Sequence, residues 1–305
     1  MRCRSGPVRA HRPGVHVVNP DQLVATPCPS NAVRLRASFD QHGYALLDQA
    51  LERADVLSAR SEVLERLADV GEIEPPAADG VATGTSRREE LAGDLGSFWK
   101  SLSEGAAVRR VTHGPRLREL VSRFFDAPAR PHDYVFLRST PVGDSTDLHY
   151  DHPYFSCNPT SRFVTCWIPL GDIPISDGPV VLIEGSHRLI GTMERERLQG
   201  DEGAFAAARD AAYQATALGA RLLSAHFRPG DLIVFSEFML HGSLENRSPI
   251  GRVRLSIDVR YQPAAEPADD PRYFGPNPIG ADGGGYGAQK AAQPLRGRPL
   301  PNSDR

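Results

Sequence analysis

The stretch Arg252–Tyr261 alternates without a break. Arg252, Arg254, Ser256, Asp258 and Arg260 fall at even positions; Val253, Leu255, Ile257, Val259 and Tyr261 fall at odd ones. Successive side chains of a strand point to opposite faces, so this is a strand with one apolar and one strongly polar face. Two arrangements accommodate it. Either the polar face meets solvent, or it lines the inside of a β-structure that receives a charged ligand. In the second arrangement an Arg grips a carboxylate bidentately and a neighbouring Ser hydroxyl adds a hydrogen bond.

The chain before this strand supplies its partners. Short β-branched or aromatic runs at 133–140, 146–154, 162–170, 179–184, 221–227, 231–235 and 239–244 are separated by Gly, Pro, Asp and Ser. So many short strands suit two facing sheets with side chains filling the space between them. The expected fold is mainly β with flanking helices, a double-stranded β-helix (jelly roll, cupin-like). Helical spacing predicts a helix over 52–69, with Leu57, Val63, Leu64 and Leu67 in its buried stripe, and another over 115–125. Residues 33–51 predict a helix that turns at Gly43 into a strand, and 71–88 predict a loop. The Ala-rich block 202–218 predicts an inserted helix. The expected organisation is a flexible arm over 1–32, one catalytic domain over 33–262 and a Pro/Gly-rich tail over 263–305. Within that tail, Tyr273-Phe274 is a candidate docking point on the body.

Charge and cysteine usage narrow the class. A net charge of −3 offers no basic field for nucleic acid. The nearest thing to an apolar run at the N-terminus, Val15–Val18, is too short for a membrane span or a signal core. Cys3, Cys28, Cys157 and Cys166 fit neither a zinc ribbon nor a CxxC pair, so free thiols in a reducing cytoplasm are expected. The expected protein is cytoplasmic, with no nucleic-acid or membrane partner.

The chemistry centres on His149-x-Asp151, inside Asp147–Phe155. If the stretch is extended, the imidazole and the carboxylate share a face. They then form two-thirds of the facial His-His-carboxylate site that holds iron(II) with open positions. With 10 His in 305 residues, one such pair is within what chance supplies. The candidate third ligand is His241, in His241-Gly242-Ser243, where Gly lets the backbone approach closely. Strands so distant in sequence come together across the mouth of a jelly roll.

Ordered landmarks then carry a resemblance. They run from Phe39-Asp40-Gln41-His42-Gly43-Tyr44 through His149-Tyr150-Asp151, Val164-Thr165-Cys166-Trp167-Ile168-Pro169-Leu170, Asp177-Gly178-Pro179 and Gly185-Ser186-His187. They end with Pro229-Gly230-Asp231, His241-Gly242-Ser243 and Arg254-Leu255-Ser256. In this order, over about residues 35–262, they resemble the phytanoyl-CoA dioxygenase-like family of iron(II)/2-oxoglutarate oxygenases. The resemblance implies iron held by His149, Asp151 and His241. It implies 2-oxoglutarate chelating that iron, with an Arg on its far carboxylate.

Arg254, with Ser256, is favoured for that Arg. Arg252, eleven residues after His241, is the competing position. Arg138, Thr140 and Thr165 are further candidates for the cosubstrate, and Tyr150 and Tyr154 for the substrate. His152 is expected to face away, His187 to be structural, and Asp258 to pair with Arg260 along the strand.

The implied reaction is hydroxylation, or desaturation, cyclisation or epoxidation, of a small molecule by O2, with succinate and CO2 as co-products. The Ala-, Arg- and Gly-rich composition suits a bacterial secondary metabolite as substrate. Halogenases of this class lack the carboxylate, so Asp151 argues for oxygenation. A zinc-type hydrolase on the same triad and a non-catalytic cupin-like binding protein are the alternatives.

Overall fold

The computed structural model describes residues 21–26, 32–157, 162–198 and 221–296. Among these, ten strands form two facing sheets. In chain order they are β1 (Asp21–Gln22), β2 (Tyr44–Leu47), β3 (Ala129–Pro131), β4 (Phe136–Thr140), β5 (Val164–Pro169), β6 (Val180–Ile183), β7 (Leu222–Ser224), β8 (Leu232–Ser236), β9 (His241–Ser243) and β10 (Arg254–Pro263). One sheet runs β2-β8-β5-β10, with β3 and β4 both pairing with β10; the other runs β1-β7-β6-β9. The result is the jelly-roll sandwich expected from the strand pattern, open rather than closed into a barrel.

Strand alternation divides the large sheet cleanly. Ala45, Leu47, Cys166, Ile168, Leu232, Val234, Leu255, Ile257 and Val259 pack in the larger apolar core. That core also holds the buried stripes of α2 (Arg53–Asp69), α4 (Leu95–Ser103), α5 (Ala106–His113) and α6 (Pro115–Phe125). The other face meets the small sheet. There Tyr44, Leu46, Trp167, Ile233 and Phe235 pack with Val180, Leu182 and Leu223. Both faces of the large sheet are thus covered, and the even positions of β10 have no solvent to meet. Arg254, Ser256, Asp258, Arg260 and Gln262 are all buried. The solvent-facing alternative for this strand is excluded.

Several expectations are corrected. Residues 146–154 are not a strand. They make one bridge, His149 to His241, and then turn into the short helix α7 (His152–Phe155). Pro153 explains the turn, since it cannot donate to a ladder and its fixed φ suits a first helical turn. Leu57 is only half-buried, and Val56 takes its place in the stripe of α2. Residues 71–88 are mostly loop, as expected, but the loop closes on itself through the bridge Ile73–Ala82 and joins the body through Val81–Arg252.

Part of the expected arm is ordered, because β1 pairs in parallel with β7. The C-terminal segment docks on the body at Tyr273-Phe274, as expected, and also through Tyr286, Ala292 and Leu295; all five are buried in the larger core. Helices α1 (Ala32–His42), α3 (Arg88–Ala92) and α8 (Ser186–Leu198) complete the set. The helix expected over 202–218 lies outside the described residues. No described helix is long and apolar enough to cross a membrane.

Candidate metal and cosubstrate site

His149 and His241 arrive on facing backbones. Each donates its backbone N–H to the other's carbonyl, at 2.9 and 2.8 Å, which sets their rings 4.2 Å apart. This close approach needs Gly242, where a Cβ would lie 2.7 Å from the Thr146 carbonyl oxygen. Asp151 follows His149 at the entry to α7, and its backbone N–H donates to the Glu237 carbonyl. The turn, not strand alternation, brings its carboxylate beside the imidazoles. Asp151 Oδ1 lies 3.8 Å from His149 Nε2 and 3.9 Å from His241 Nε2. Among the described residues, this is the one group of three His, Cys, Asp or Glu side chains placed to hold a metal ion.

Hydrogen bonds orient all three groups. His149 Nδ1 lies 2.8 Å from the Asp147 carbonyl and His241 Nδ1 lies 2.9 Å from the Met239 carbonyl. A carbonyl only accepts, so both Nδ1 atoms carry the proton and both Nε2 atoms present a lone pair. Burial pushes the His241 imidazole down to about 3, helped by the adjacent His149 and opposed by Asp151. Burial lowers His149 as well, again against the pull of Asp151. Both rings are therefore neutral near pH 7, the form that binds metals.

The Asp151 carboxylate is used unevenly. Its Oδ2 accepts from Thr165 Oγ1 at 2.5 Å and from Arg260 Nη2 at 2.8 Å and Nε at 3.2 Å. Its Oδ1 is buried without a hydrogen-bond partner. Burial would raise this carboxyl's pKa, but Arg260, the two imidazoles and Thr165 outweigh it and hold Asp151 well below the usual carboxylate range. An ionised, orphaned oxygen facing two imidazole lone pairs lacks one thing, a cation. The donor set fits iron(II).

Arg260 was expected on Asp258 and is found on Asp151. Register explains the exchange: Thr165 on β5 lies directly opposite Arg260, so both reach the same carboxylate. Asp258 pairs instead with Arg138 from β4. The Arg260 guanidinium also lies 3.8 Å from the ring centre of Phe155 and 5.2 Å from that of Phe136. The role of Arg260 had one trace in the sequence, its even position on the polar face.

The other candidates separate by position. Arg254 is buried, donating from Nη1 to Ser256 Oγ at 2.6 Å and from Nε to the Gly178 carbonyl at 3.1 Å. Burial, with Arg138 nearby, pushes its pKa down to about 10, against the pull of Asp258. Arg252 reaches away to Asp177 and lines a different cleft, beside Arg60 and Asp79. Thr165 serves Asp151, as described. Thr140 sits opposite Arg254 in the β4–β10 register. His187 Nε2 donates to the Asp40 carbonyl, away from the site, and His152 packs on Phe238.

A cavity of about 770 Å³ opens beside His149. Arg138, Thr140, Tyr150, Tyr154, Phe155 and Leu240 line it, so both expected substrate contacts face it. Tyr150 donates to Glu194 of α8 at 2.5 Å, while Tyr154 is half-exposed, its ring edge-on to His149. Residues from 279–282 and 288–291 line it too, within the tail after 262 that, with the irregular segments 71–100, 155–162 and 188–218, is expected from the sequence to shape the substrate site.

The chain is similar to known proteins. A profile of the family described as phytanoyl-CoA dioxygenase (PhyH) matches residues 39–253. The chain is 28% identical over 257 residues to the 1-deoxypentalenic acid 11-beta-hydroxylase of Streptomyces exfoliatus, covering 80% of this chain and 86% of that protein. The non-heme alpha ketoglutarate dependent carbocyclase SnoK, from nogalamycin biosynthesis, superposes with a TM-score of 0.52 at 19% identity. That match covers 80% of this chain and 87% of SnoK. EctD from S. alaskensis, crystallised with 2-oxoglutarate and 5-hydroxyectoine, gives 0.51 at 19% identity, covering 81% and 83%.

The two solved structures share the fold. Fold, site and comparisons together define an iron(II)/2-oxoglutarate-dependent oxygenase of the jelly-roll type. The chain belongs to the phytanoyl-CoA dioxygenase family.

Proposed function

We propose that the protein oxidises a small organic molecule of secondary metabolism, most simply by hydroxylation, at an iron held by His149, Asp151 and His241. One observation carries this reading: the buried Asp151 Oδ1 has no partner and faces both Nε2 atoms at under 4 Å. Bound iron with 2-oxoglutarate supplies the O2 chemistry. The chain's residues supply orientation. The Asp147 and Met239 carbonyls fix the imidazole tautomers. Thr165 and Arg260 hold one Asp151 oxygen so that the other stays free.

Arg254 and Ser256 are the anchor for the far carboxylate of 2-oxoglutarate. They are the buried cation and hydroxyl on the inner face of β10, whereas Arg252 is committed to Asp177. A guanidinium out of water binds a carboxylate strongly and directionally. The named relatives perform a hydroxylation and a carbocyclisation, which supports a natural product as substrate and oxygenation or ring formation as outcome.

The test is aerobic incubation with iron(II), 2-oxoglutarate and a panel of terpenoid and polyketide acids, following succinate and oxidised product. Substrate-dependent succinate with a product heavier by one oxygen is expected. Full activity in Asp151→Ala would sink the metal assignment.

A further inference from the structure

We infer that the C-terminal segment, residues 279–291 in particular, is the substrate-side wall of the active-site cavity. Ala288 and Ala291 set the size of the mainly apolar molecule received there. The inference rests on the oxygenase reading only in calling that molecule the substrate. Two short pieces of the segment, 279–282 and 288–291, line the cavity that His149 borders.

The segment is built in as a wall. Arg88 Nη1 donates to the carbonyls of Ala291, Ala292 and Gln293 at 2.9, 2.8 and 3.0 Å. Its Nη2 donates to Glu72 at 2.5 Å, and Glu72 also accepts from the Leu295 backbone N–H. Gln289 accepts from Trp99 Nε1 at 3.1 Å and donates to the Val135 carbonyl at 3.0 Å, just before β4. Lys290 reaches Asp144, in the loop that leads to His149. The wall is therefore fastened to the helices behind it, to the strand beside it and to the loop carrying a metal-site residue.

The lining gives the occupant's chemistry. Phe136, Leu148, Tyr150, Tyr154, Phe155 and Leu240 form the rest of its apolar lining. The cationic groups of the cavity are already matched: Arg138 by Asp258, Arg260 by Asp151 and Lys290 by Asp144. Asp147 and Asp282 lie exposed. A space of about 770 Å³ falls in the range of sites for drug-sized ligands, beyond what a five-carbon diacid fills. On the wall itself Gly280, Ala281, Ala288 and Ala291 carry the shortest side chains, so lengthening an alanine there subtracts directly from that space.

The experiment uses the full chain and the neutral fluorescent probe N-phenyl-1-naphthylamine. One saturable site is expected in the wild type. Along the series Ala291→Val, Leu and Trp, and in Ala288→Trp, affinity should fall with side-chain volume, reaching about tenfold for Trp. The thermal midpoint and the iron(II)/2-oxoglutarate absorption titration should stay unchanged. Arg88→Met, which releases the segment, should weaken probe binding and speed proteolysis after residue 263.

Wild-type probe affinity throughout the volume series, or no saturable site in the wild type, overturns the inference. A wild type that shows the probe pattern but no iron(II)/2-oxoglutarate absorption would instead overturn the oxygenase reading and leave the wall standing.

Discussion

Glu72 and Asp151 are both fully buried carboxylates set against a buried arginine, and they differ in one oxygen. Glu72 is satisfied on both sides: Oε2 accepts from Arg88, and Oε1 accepts from Ser86 Oγ and the Leu295 N–H. Asp151 gathers three donors on Oδ2 and none on Oδ1. A buried polar atom left unpaired costs about 1–3 kcal/mol. At Glu72 the fold avoids that cost, and the pair acts as a joint between the helices and the C-terminal segment. At Asp151 the cost is kept beside two aligned imidazoles, which marks a place for a cation. The two pairs should therefore fail in different ways.

The largest difference is in turnover. Asp151→Ala should reduce oxidation by more than about 100-fold, beyond the range typical of changing an outer partner of a metal ligand. Glu72→Ala should keep the iron(II)/2-oxoglutarate absorption while losing about 3–5 kcal/mol of stability in urea unfolding, because Arg88 is left as an unpaired buried charge. Next, a redox-inert divalent metal such as Ni(II) at 100 times its Kd should stabilise the wild type and Glu72→Ala alike by about 2.7 kcal/mol. His241→Ala should show no such gain.

A buried imidazole outside the candidate ligand group provides a pH contrast. Burial lowers His132 from 6.5 to about 3, despite a hydrogen bond with Gln262. Between those values the unfolded chain binds a proton that the folded chain does not. This contribution is absent above pH 6.5 and destabilises increasingly as pH falls toward 3, by up to about 2 kcal/mol at pH 5. His132→Phe should flatten the fall in unfolding free energy between pH 7 and 5; an unchanged slope would contradict it. The smallest effect is Thr165→Val, which removes one donor from Asp151 Oδ2. Activity should fall about tenfold with little change in stability.

What could be read from the sequence followed from periodicity. The strict alternation of 252–261 predicted β10 and its divided faces, and the helical spacing of 52–69 and 115–125 predicted α2 and α6. The candidate ligands His149, Asp151 and His241, which the structure brings together, stood out because a short spacing and a His-Gly-Ser turn are local signals. The manner of their convergence did not, since Pro153 turns the chain into a helix where an extended strand was expected.

Partnerships across long separations left no local trace. Arg260 meets Asp151 across 109 positions, and Arg88 meets Ala292 across 204. Which partner wins depends on strand register and on docking of a segment whose apolar residues, Tyr273, Tyr286 and Leu295, follow no period. The tail after 262 was recognisable as a candidate substrate determinant, but which of its residues line the cavity was hidden for that reason.

The most direct test of the difference between the two carboxylates is an anaerobic titration of the purified protein with iron(II) and 2-oxoglutarate, followed by visible absorption. A weak metal-to-ligand band saturating at one iron per chain is predicted for the wild type and for Glu72→Ala, and its loss for His149→Ala and His241→Ala. No band in a folded wild type, or an undiminished band in both histidine variants, would contradict the assignment.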